Sequence, residues 1–312
     1  MSRVLGLDTS NYTTSAAIYC SDGTGVNSSR LLDVPEGGLG LRQSDALYQH
    51  VRRLPERIAQ LKAEGVLDGV RAVGASVAPR SVEGSYMPCF LAGESQGRVL
   101  ADLLGVPFFA TSHQQGHVAA ACWSARRMDL LDRPILSWHL SGGTTELLLV
   151  EPEDGMPKMT IIGGTEDISA GQLIDRTGKL LGVPFPAGKG LDALAGDSDS
   201  KDAFTVKLRG LYFSLSGVEN QVQKRAEQGM SPADVAKFTL NTVAKTVHRV
   251  TQAALKEYPG LEVLCSGGVA SNSLLRKVMD YAVFAQPQYS TDNAMGVAIL
   301  THRALERGML NE

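Results

Sequence analysis

The chain has 312 residues, of which 43% are hydrophobic and 20% charged, and its formal net charge is −3. This length favours two domains. The four cysteines are scattered, which argues against a disulfide framework or a structural zinc site. No segment has the roughly twenty uninterrupted apolar residues of a membrane helix. Because the amino terminus also lacks the apolar stretch of a signal peptide, we expect a cytoplasmic protein with no membrane partner. The small net charge does not by itself indicate a polyanionic partner.

The first half of the chain begins with a predicted β-hairpin and continues with mostly helical patterns. A buried strand over residues 4–9 is followed by a turn rich in hydroxyl groups and by a returning strand over residues 15–20. Apolar residues at helical spacing predict an amphipathic helix over residues 45–63. The next predicted elements are a strand over 70–77, a helix over 90–104 and a strand over 106–110.

A second predicted hairpin opens the other half of the chain. A strand over residues 135–140 precedes a Ser-Gly-Gly-Thr turn and a returning strand over residues 145–150. Two hairpins with small hydroxyl and glycine tips, each opening one half, suggest a duplicated domain. The elements predicted after this hairpin are a helix over 170–181, a turn through Pro184, Pro186 and Gly188, a helix over 231–257, a strand over 261–265 and a helix over 273–281.

Two histidines, His113 and His117, lie four residues apart directly after the strand predicted over 106–110. On a helix this spacing points both imidazoles the same way, so both can bind one ion. Asp292, from a distant Thr-Asp-Asn segment, could complete a two-histidine, one-carboxylate site with open positions for a substrate. Taken alone, the pair is better explained as two ordinary helix histidines, and His113 lacks the following Glu of the common zinc-protease helix.

Two glycine-rich turns are candidate ligand-binding loops. Gly268 lies at a strand-to-helix junction, where a ligand can approach the backbone and the helix amino terminus offers N–H groups. Asn272 would add an amide for a base or a sugar hydroxyl, unless it serves as a helix cap. The tip Ser141-Gly142-Gly143 could cradle phosphate, although a plain hairpin also accepts this sequence. Together the loops predict a nucleotide cleft between two related domains, without a Walker loop or a dinucleotide-binding fingerprint.

In their order and spacing, these motifs resemble the tRNA N6-adenosine threonylcarbamoyltransferase family (the TsaD type, formerly named O-sialoglycoprotein endopeptidase or glycoprotease). The resemblance extends over nearly the whole chain, and its motifs are specific jointly although each is modest alone. They lie at residues 5–10, 113–117, 141–145, 170–171, 175, 179–182, 213–217, 267–276 and 291–293.

The resemblance implies an α/β fold of two actin-like domains, of the actin, Hsp70 and sugar-kinase (ASKHA) type, with duplicated mixed sheets and a cleft between them. We expect the first domain to comprise residues 1–128, completed by a C-terminal helix from about residue 292. The second domain is expected to comprise residues 129–312.

The resemblance also implies a metal and an adenylate ligand. One divalent ion, iron or zinc, would be held by His113, His117 and Asp292, and it would hold the threonylcarbamoyl end of threonylcarbamoyl-AMP. AMP or ATP would occupy the same nucleotide site. The residues expected to bind the substrate or nucleotide are Ser141, Gly142, Gly143, Asp175, Gly188, Gly268 and Asn272.

The family reaction moves the threonylcarbamoyl group to N6 of adenosine 37 in tRNAs that read ANN codons, and releases AMP. The metal would polarise the carbonyl, and positioning would supply much of the rate. The implied partners are tRNA, a smaller homologous subunit and a small ATPase; a homodimer is a further candidate assembly.

The chain departs from the family pattern at several positions. The family's first loop continues with Cys-Asp-Glu-Thr, which is replaced here by residues 11–14, and its Gly-Pro-Gly loop is replaced by residues 78–83. The family's His after Ser-Gly-Gly is Thr144, and its paired Asp-Asp is Asp167-Ile168. Since losing a general base typically costs about 10²–10⁴-fold in rate, two alternatives stay open. One is a divergent bacterial paralogue that binds nucleotide as a non-catalytic complex subunit, and the less favoured one is a metalloendopeptidase.

Overall fold

The computed structural model describes residues 2–10, 12–34, 41–289 and 294–309. The chain folds into two compact units. Unit 1 comprises Met1–Arg133, Glu151–Met159 and Thr291–Glu312, and unit 2 comprises Pro134–Val150 and Thr160–Ser290. The domain boundaries expected from the sequence stay a prediction.

Strands and helices are interspersed along the chain. In the described ranges the strands are β1 (Arg3–Asp8), β2 (Thr13–Cys20), β3 (Gly25–Leu31), β4 (Val70–Ala78), β5 (Phe108–Ser112), β6 (Ile135–Leu140), β7 (Thr145–Glu153), β8 (Met156–Thr165), β9 (Leu208–Arg209), β10 (Tyr212–Phe213), β11 (Glu262–Ser266) and β12 (Val283–Phe284). The helices are α1 (Gln43–Ala63), α2 (Phe90–Leu104), α3 (His113–Ser124), α4 (Ala170–Leu180), α5 (Gly188–Ala195), α6 (Ser216–Glu227), α7 (Pro232–Glu257), α8 (Ser273–Val278) and α9 (Met295–Glu306).

The sheet of unit 1 is mixed, with the strand order β3-β2-β1-β4-β5. The hairpin of β1 and β2 is antiparallel, as predicted, whereas β4 and β5 run parallel to β1 and to each other. The strand predicted over 106–110 begins at Phe108 instead and ends at Ser112. Pro107 has no N–H group and contributes only its carbonyl, which accepts a hydrogen bond from Val73 N at 3.0 Å.

Helix α9 packs against the sheet of unit 1 and against α3. The backbones of α9 and α3 meet at Gly296 and Gly116. A Cβ on Gly296 would collide with the carbonyl oxygen of Gly116. Glycine at this position therefore allows the close approach, and the approach holds α3 in place relative to the sheet.

The sheet of unit 2 has the strand order β12-β11-β6-β7-β8-β10-β9. The predicted second hairpin, β6 with β7, is antiparallel, and β11 lies parallel to β6 on its other side. The core of this unit includes Trp138 on β6, whose Nε1–H donates to Thr251 Oγ1 of α7 at 2.8 Å. No helix in the described part of the chain, α7 included, combines the length and apolar character needed to cross a membrane.

Some elements of unit 2 differ from the sequence predictions. The segment predicted as a turn through Gly188 begins helix α5 at that residue, and α6 was not predicted. Helix α6 buries only Val218 and Val222, so its apolar periodicity is weak. The helix predicted over 273–281 ends at Val278.

Candidate functional site

His113 and His117 lie on the first turns of α3. Ser112 ends β5 and caps the helix: its Oγ accepts a hydrogen bond from Gln115 N at 3.2 Å, and Ser112 N donates to Gln115 Oε1 at 2.8 Å. This capping box fixes the start of the helix. As a result the two imidazoles project from one face, and their Nε2 atoms are 2.9 Å apart.

Asp8, the last residue of β1, lies on the other side of the His113 ring. Its Oδ2 is 2.8 Å from Nδ1 of His113. Its Oδ1 accepts hydrogen bonds from Ser76 Oγ at 2.7 Å and from Ser10 N at 3.0 Å. Asp8 is 1% exposed. The carboxylate is therefore buried and held by groups from three segments of unit 1.

The geometry of the histidine pair fits two ligands of one metal ion. Two nitrogens, each about 2.1 Å from an ion, would lie about 3.0 Å apart at a right angle and about 3.4 Å apart at a tetrahedral angle. The observed 2.9 Å is close to the first value, and it is also the length of a hydrogen bond between the two rings. The third expected ligand, Asp292, lies outside the described residues, and among those that are described no group of three His, Cys, Asp or Glu could hold a metal. The metal site therefore stays a prediction.

Unit 2 contains a cavity of about 480 Å³. This volume is within the range of small-molecule sites, about 300–1,000 Å³. The walls come from the turn between β6 and β7, from α4 with the start of α5, and from the segment between β11 and α8. Most of the expected nucleotide-binding residues line it: Gly142, Asp175, Gly188, Gly268 and Asn272.

Ser141 and Gly143 belong to the turn beside the cavity, but neither is among the residues described as lining the cavity. Ser141 N donates to Thr144 O at 2.8 Å, and Ser141 Oγ accepts from Thr144 N at 3.1 Å. The hydroxyl of Ser141 thus closes its own turn. A Cβ on Gly143 would meet no heavy atom within 4 Å.

The cavity wall is bare at three glycines. A Cβ added at Gly142, Gly188 or Gly268 would meet no heavy atom within 4 Å. Gly171 differs, because a Cβ there would collide with the carbonyl oxygen of Ser141 and with the backbone of Gly142. The first three glycines leave the backbone accessible to a ligand, whereas Gly171 is required for packing.

The charged residues that line the described part of the cavity are Asp175, Lys189 and Asp192. Asp175 Oδ1 accepts a hydrogen bond from Ala187 N at 2.9 Å, which ties α4 to the start of α5. Lys189, in the first turn of α5, is exposed. It therefore offers a cationic group to an anionic ligand, whereas Asp175 is committed at least in part to the fold.

Asn272 has a structural role in addition to lining the cavity. Its Oδ1 accepts from Leu275 N at 2.9 Å, which caps α8, and its Nδ2 donates to Asp192 Oδ1 at 3.0 Å. Asp192 Oδ1 also accepts from Ser273 Oγ at 2.8 Å. The helix cap considered for Asn272 is therefore present, and one hydrogen of its Nδ2 is donated to the carboxylate of Asp192.

Asp167 holds the Ser-x-Ser-Gly segment that begins α6. Its carboxylate accepts hydrogen bonds from Leu215 N at 2.8 Å, from Ser216 N at 3.2 Å and from the hydroxyl of Ser214. Burial acts to raise the pKa of Asp167, but these hydrogen bonds outweigh it and hold the pKa well below its usual range. Asp167 thus stabilises this segment as a carboxylate.

Asp8, Lys189 and Asp192 are site residues that were not predicted from the sequence. Asp8 carried a usable signal, because an acidic residue ends an otherwise apolar strand. Lys189 and Asp192 lie on α5, which was taken as part of a turn. Their position in the cavity depends on recognising that helix.

Comparison with known proteins places the chain in a family. A family model described as TsaD, tRNA N6-adenosine threonylcarbamoyltransferase, matches residues 36–299. The tRNA N6-adenosine threonylcarbamoyltransferase of Rhizobium leguminosarum bv. trifolii is 32% identical in an alignment that covers 95% of this chain and 87% of the relative.

Solved structures of low identity share the fold. Full-length HypF is 15% identical with a TM-score of 0.64, over 97% of this chain and 56% of that chain. A ROK family glucokinase from Streptomyces griseus is 13% identical with a TM-score of 0.52, over 96% of this chain and 99% of that chain. These matches confirm the predicted ASKHA-type α/β fold. With the family match across most of its length, the chain belongs to the tRNA N6-adenosine threonylcarbamoyltransferase family.

Proposed function

We propose that this chain, in the cytoplasm, transfers the threonylcarbamoyl group of threonylcarbamoyl-AMP to N6 of adenosine 37 in ANN-decoding tRNA. The observation that carries the proposal is the family match over residues 36–299. This match includes the histidine pair and every expected nucleotide-binding residue. A smaller homologous subunit, a small ATPase and a second copy of the chain are proposed as partners.

The cavity of unit 2 is the proposed site of the adenylate. Its volume and its three bare glycines support this assignment, because a nucleotide must approach the backbone closely. Lys189 adds a cationic group at the same cavity. Backbone N–H groups of the turn at Gly142 and Gly143 are the proposed contacts of the phosphate.

The histidine pair of unit 1 is the proposed metal site. His113 and His117 would bind one divalent ion, iron or zinc, with Asp292 as the third ligand. The 2.9 Å between the two Nε2 atoms supports the first two assignments. A bound ion would supply Lewis-acid polarisation of the threonylcarbamoyl carbonyl.

The proposed reaction is an acyl transfer. The N6 amine attacks the carbamoyl carbon, so a C–N bond forms, the C–O bond to the adenylate phosphate breaks, AMP leaves and N6 loses one proton. The residues of the cavity bind and orient the adenylate, and such positioning can supply a large part of the rate. No side chain is assigned as the base.

A second candidate function is a nucleotide-binding subunit without transferase activity. It is favoured by the replacement of the family's two acidic first-loop residues by Tyr12 and Thr13, and of the family's His after Ser-Gly-Gly by Thr144. Both candidates predict nucleotide binding. Only the first predicts turnover.

The test is a transfer assay with the purified chain, threonylcarbamoyl-AMP and an ANN-decoding tRNA, with and without the smaller subunit and the ATPase. Mass spectrometry of the tRNA nucleosides should detect threonylcarbamoyladenosine. A tRNA with guanosine at position 37 is the control substrate and should give no product. AMP binding without product under both conditions would favour the non-catalytic subunit.

A further inference from the structure

We propose that Asp8 is the positioning residue of the histidine pair. It holds the hydrogen of His113 on Nδ1, so that Nε2 keeps its lone pair and can bind a cation together with His117. This inference rests on the proposed metal site and adds a residue that acts on it through His113.

The contacts of Asp8 assign a separate role to each carboxylate oxygen. Oδ1 accepts from Ser10 N at 3.0 Å and from Ser76 Oγ at 2.7 Å, whereas Oδ2 is 2.8 Å from His113 Nδ1. An ionised carboxylate only accepts hydrogen bonds. With Asp8 ionised, the contact with His113 places a hydrogen on Nδ1, and in the neutral imidazole this leaves Nε2 as the acceptor.

The surroundings hold this arrangement in place. Phe90 packs edge-on against the His113 ring, with the ring centroids 6.2 Å apart. Both Asp8 and Phe90 are buried. Rotating the His113 ring about its Cβ–Cγ bond would replace Nδ1 by a carbon at Asp8 and break this hydrogen bond, so the contact with Asp8 favours the ring orientation in which Nε2 faces His117.

The isosteric substitution Asp8→Asn tests the role of charge without changing volume. Ser10 N–H is a backbone donor that cannot become an acceptor, so it would select the amide oxygen of Asn. The amide NH₂ would then point at His113 Nδ1, which would have to accept. The hydrogen of His113 would move to Nε2, and a protonated Nε2 cannot bind a cation.

A hydrogen on Nε2 of His113 in Asp8→Asn should lower the affinity of the histidine pair for metal. Groups that orient metal-binding histidines typically contribute about 10–100-fold to affinity. We expect Zn²⁺ alone, titrated calorimetrically, to bind Asp8→Asn about 10–100-fold more weakly than the unmodified chain. Ser76→Ala is the matched control: it removes one contact of Oδ1 but keeps the carboxylate, and it should lose less affinity.

The ring nitrogens can also be observed directly without metal. In ¹⁵N spectra, with the signals assigned by a His113→Gln variant, the unmodified chain should carry a hydrogen on Nδ1 of His113. Asp8→Asn should shift that hydrogen to Nε2. A change in general stability alone would not produce this exchange.

Two results would overturn the role of Asp8: an unmodified His113 protonated on Nε2 alone, or full Zn²⁺ affinity in Asp8→Asn. If Asp8→Asn does not fold, the spectrum of the unmodified chain still decides the question. Failure of the unmodified chain to bind Zn²⁺ would instead remove the proposed metal site, and the metal-free spectrum would still test the hydrogen bond to Asp8.

Discussion

The histidine pair of unit 1 and the cavity of unit 2 are built in opposite ways. The pair is held by side chains: the buried carboxylate of Asp8 fixes His113, and a capping box fixes the turn that carries both rings. The cavity presents bare backbone at three glycines. Metal binding by the histidine pair should therefore be sensitive to lost or inverted hydrogen bonds. Ligand binding in the cavity should be sensitive to side-chain volume added at the glycines.

The largest expected effect is on the histidine pair. His117→Ala should lower the affinity for Zn²⁺ by about 100-fold or more, because losing a ligand should cost at least as much as losing a group that orients one. Metal analysis of the dialysed protein and Zn²⁺ titration both measure the effect. His248→Ala, on α7 of unit 2, is the matched control and should retain the metal. Unchanged metal content in His117→Ala would remove the metal assignment.

The next largest effect is expected at the glycines of the cavity, where two substitutions should have different consequences. AMP should raise the melting temperature of the unmodified chain by mass action. Gly188→Ala should fold normally but bind AMP with a penalty of about 1–3 kcal/mol, or roughly 5–150-fold in Kd, because a methyl group would enter the ligand space.

Gly171→Ala is the contrasting substitution. Its methyl group would collide with the backbone at Ser141 and Gly142, so it should destabilise the protein itself by about 1–3 kcal/mol. Thermal unfolding and AMP titration of both variants make the comparison. An equal loss of stability in Gly188→Ala and Gly171→Ala would contradict the claim that only Gly188 has room for a methyl group.

A smaller effect is expected at Lys189. Lys189→Ala should weaken AMP binding by about two- to fivefold, since an exposed ion pair contributes up to about 1 kcal/mol. Adenosine, which has no phosphate, should bind both proteins alike. Lys179→Ala, also exposed but not among the lining residues described, should leave AMP binding unchanged. An equal loss for adenosine and AMP in Lys189→Ala would show that charge is not the cause.

The smallest effect concerns Asp167 and pH. Because its pKa in the folded protein is held below the ordinary value of about 3.9, its contribution to stability is present above that value and is lost as pH falls toward the folded pKa. At neutral pH, Asp167→Asn should cost about 1 kcal/mol at most, since the residue is exposed to solvent. The melting temperatures of the unmodified chain and of Asp167→Asn should therefore become equal in acid. A difference that stays constant as the pH falls would contradict this assignment.

Local sequence patterns predicted much of the framework. The bounds of α2 and β6 and both hairpins were confirmed. Short apolar strands and turn residues decide the hairpins locally, whereas α2 has the predicted bounds although its apolar residues Leu91, Val99, Leu103 and Leu104 are exposed. Helices α5 and α6 were missed for the converse reason. Glycine opens α5, and few apolar residues mark α6.

The contacts that organise the histidine pair could not be predicted in this way. Asp8 and His113 are 105 residues apart. They meet because β4 lies between β1 and β5 and all three run parallel, so the end of β1 lies on the same sheet edge as the start of α3. A motif search identifies the histidines but not the carboxylate that this strand order brings to them.

The most direct test is a crystal structure of the chain grown with AMP and Zn²⁺, with anomalous diffraction measured at the zinc edge. We expect AMP against the bare glycines of the unit 2 cavity and one anomalous peak about 2.1 Å from Nε2 of both His113 and His117. AMP bound elsewhere, or zinc that does not contact both rings, would contradict the account.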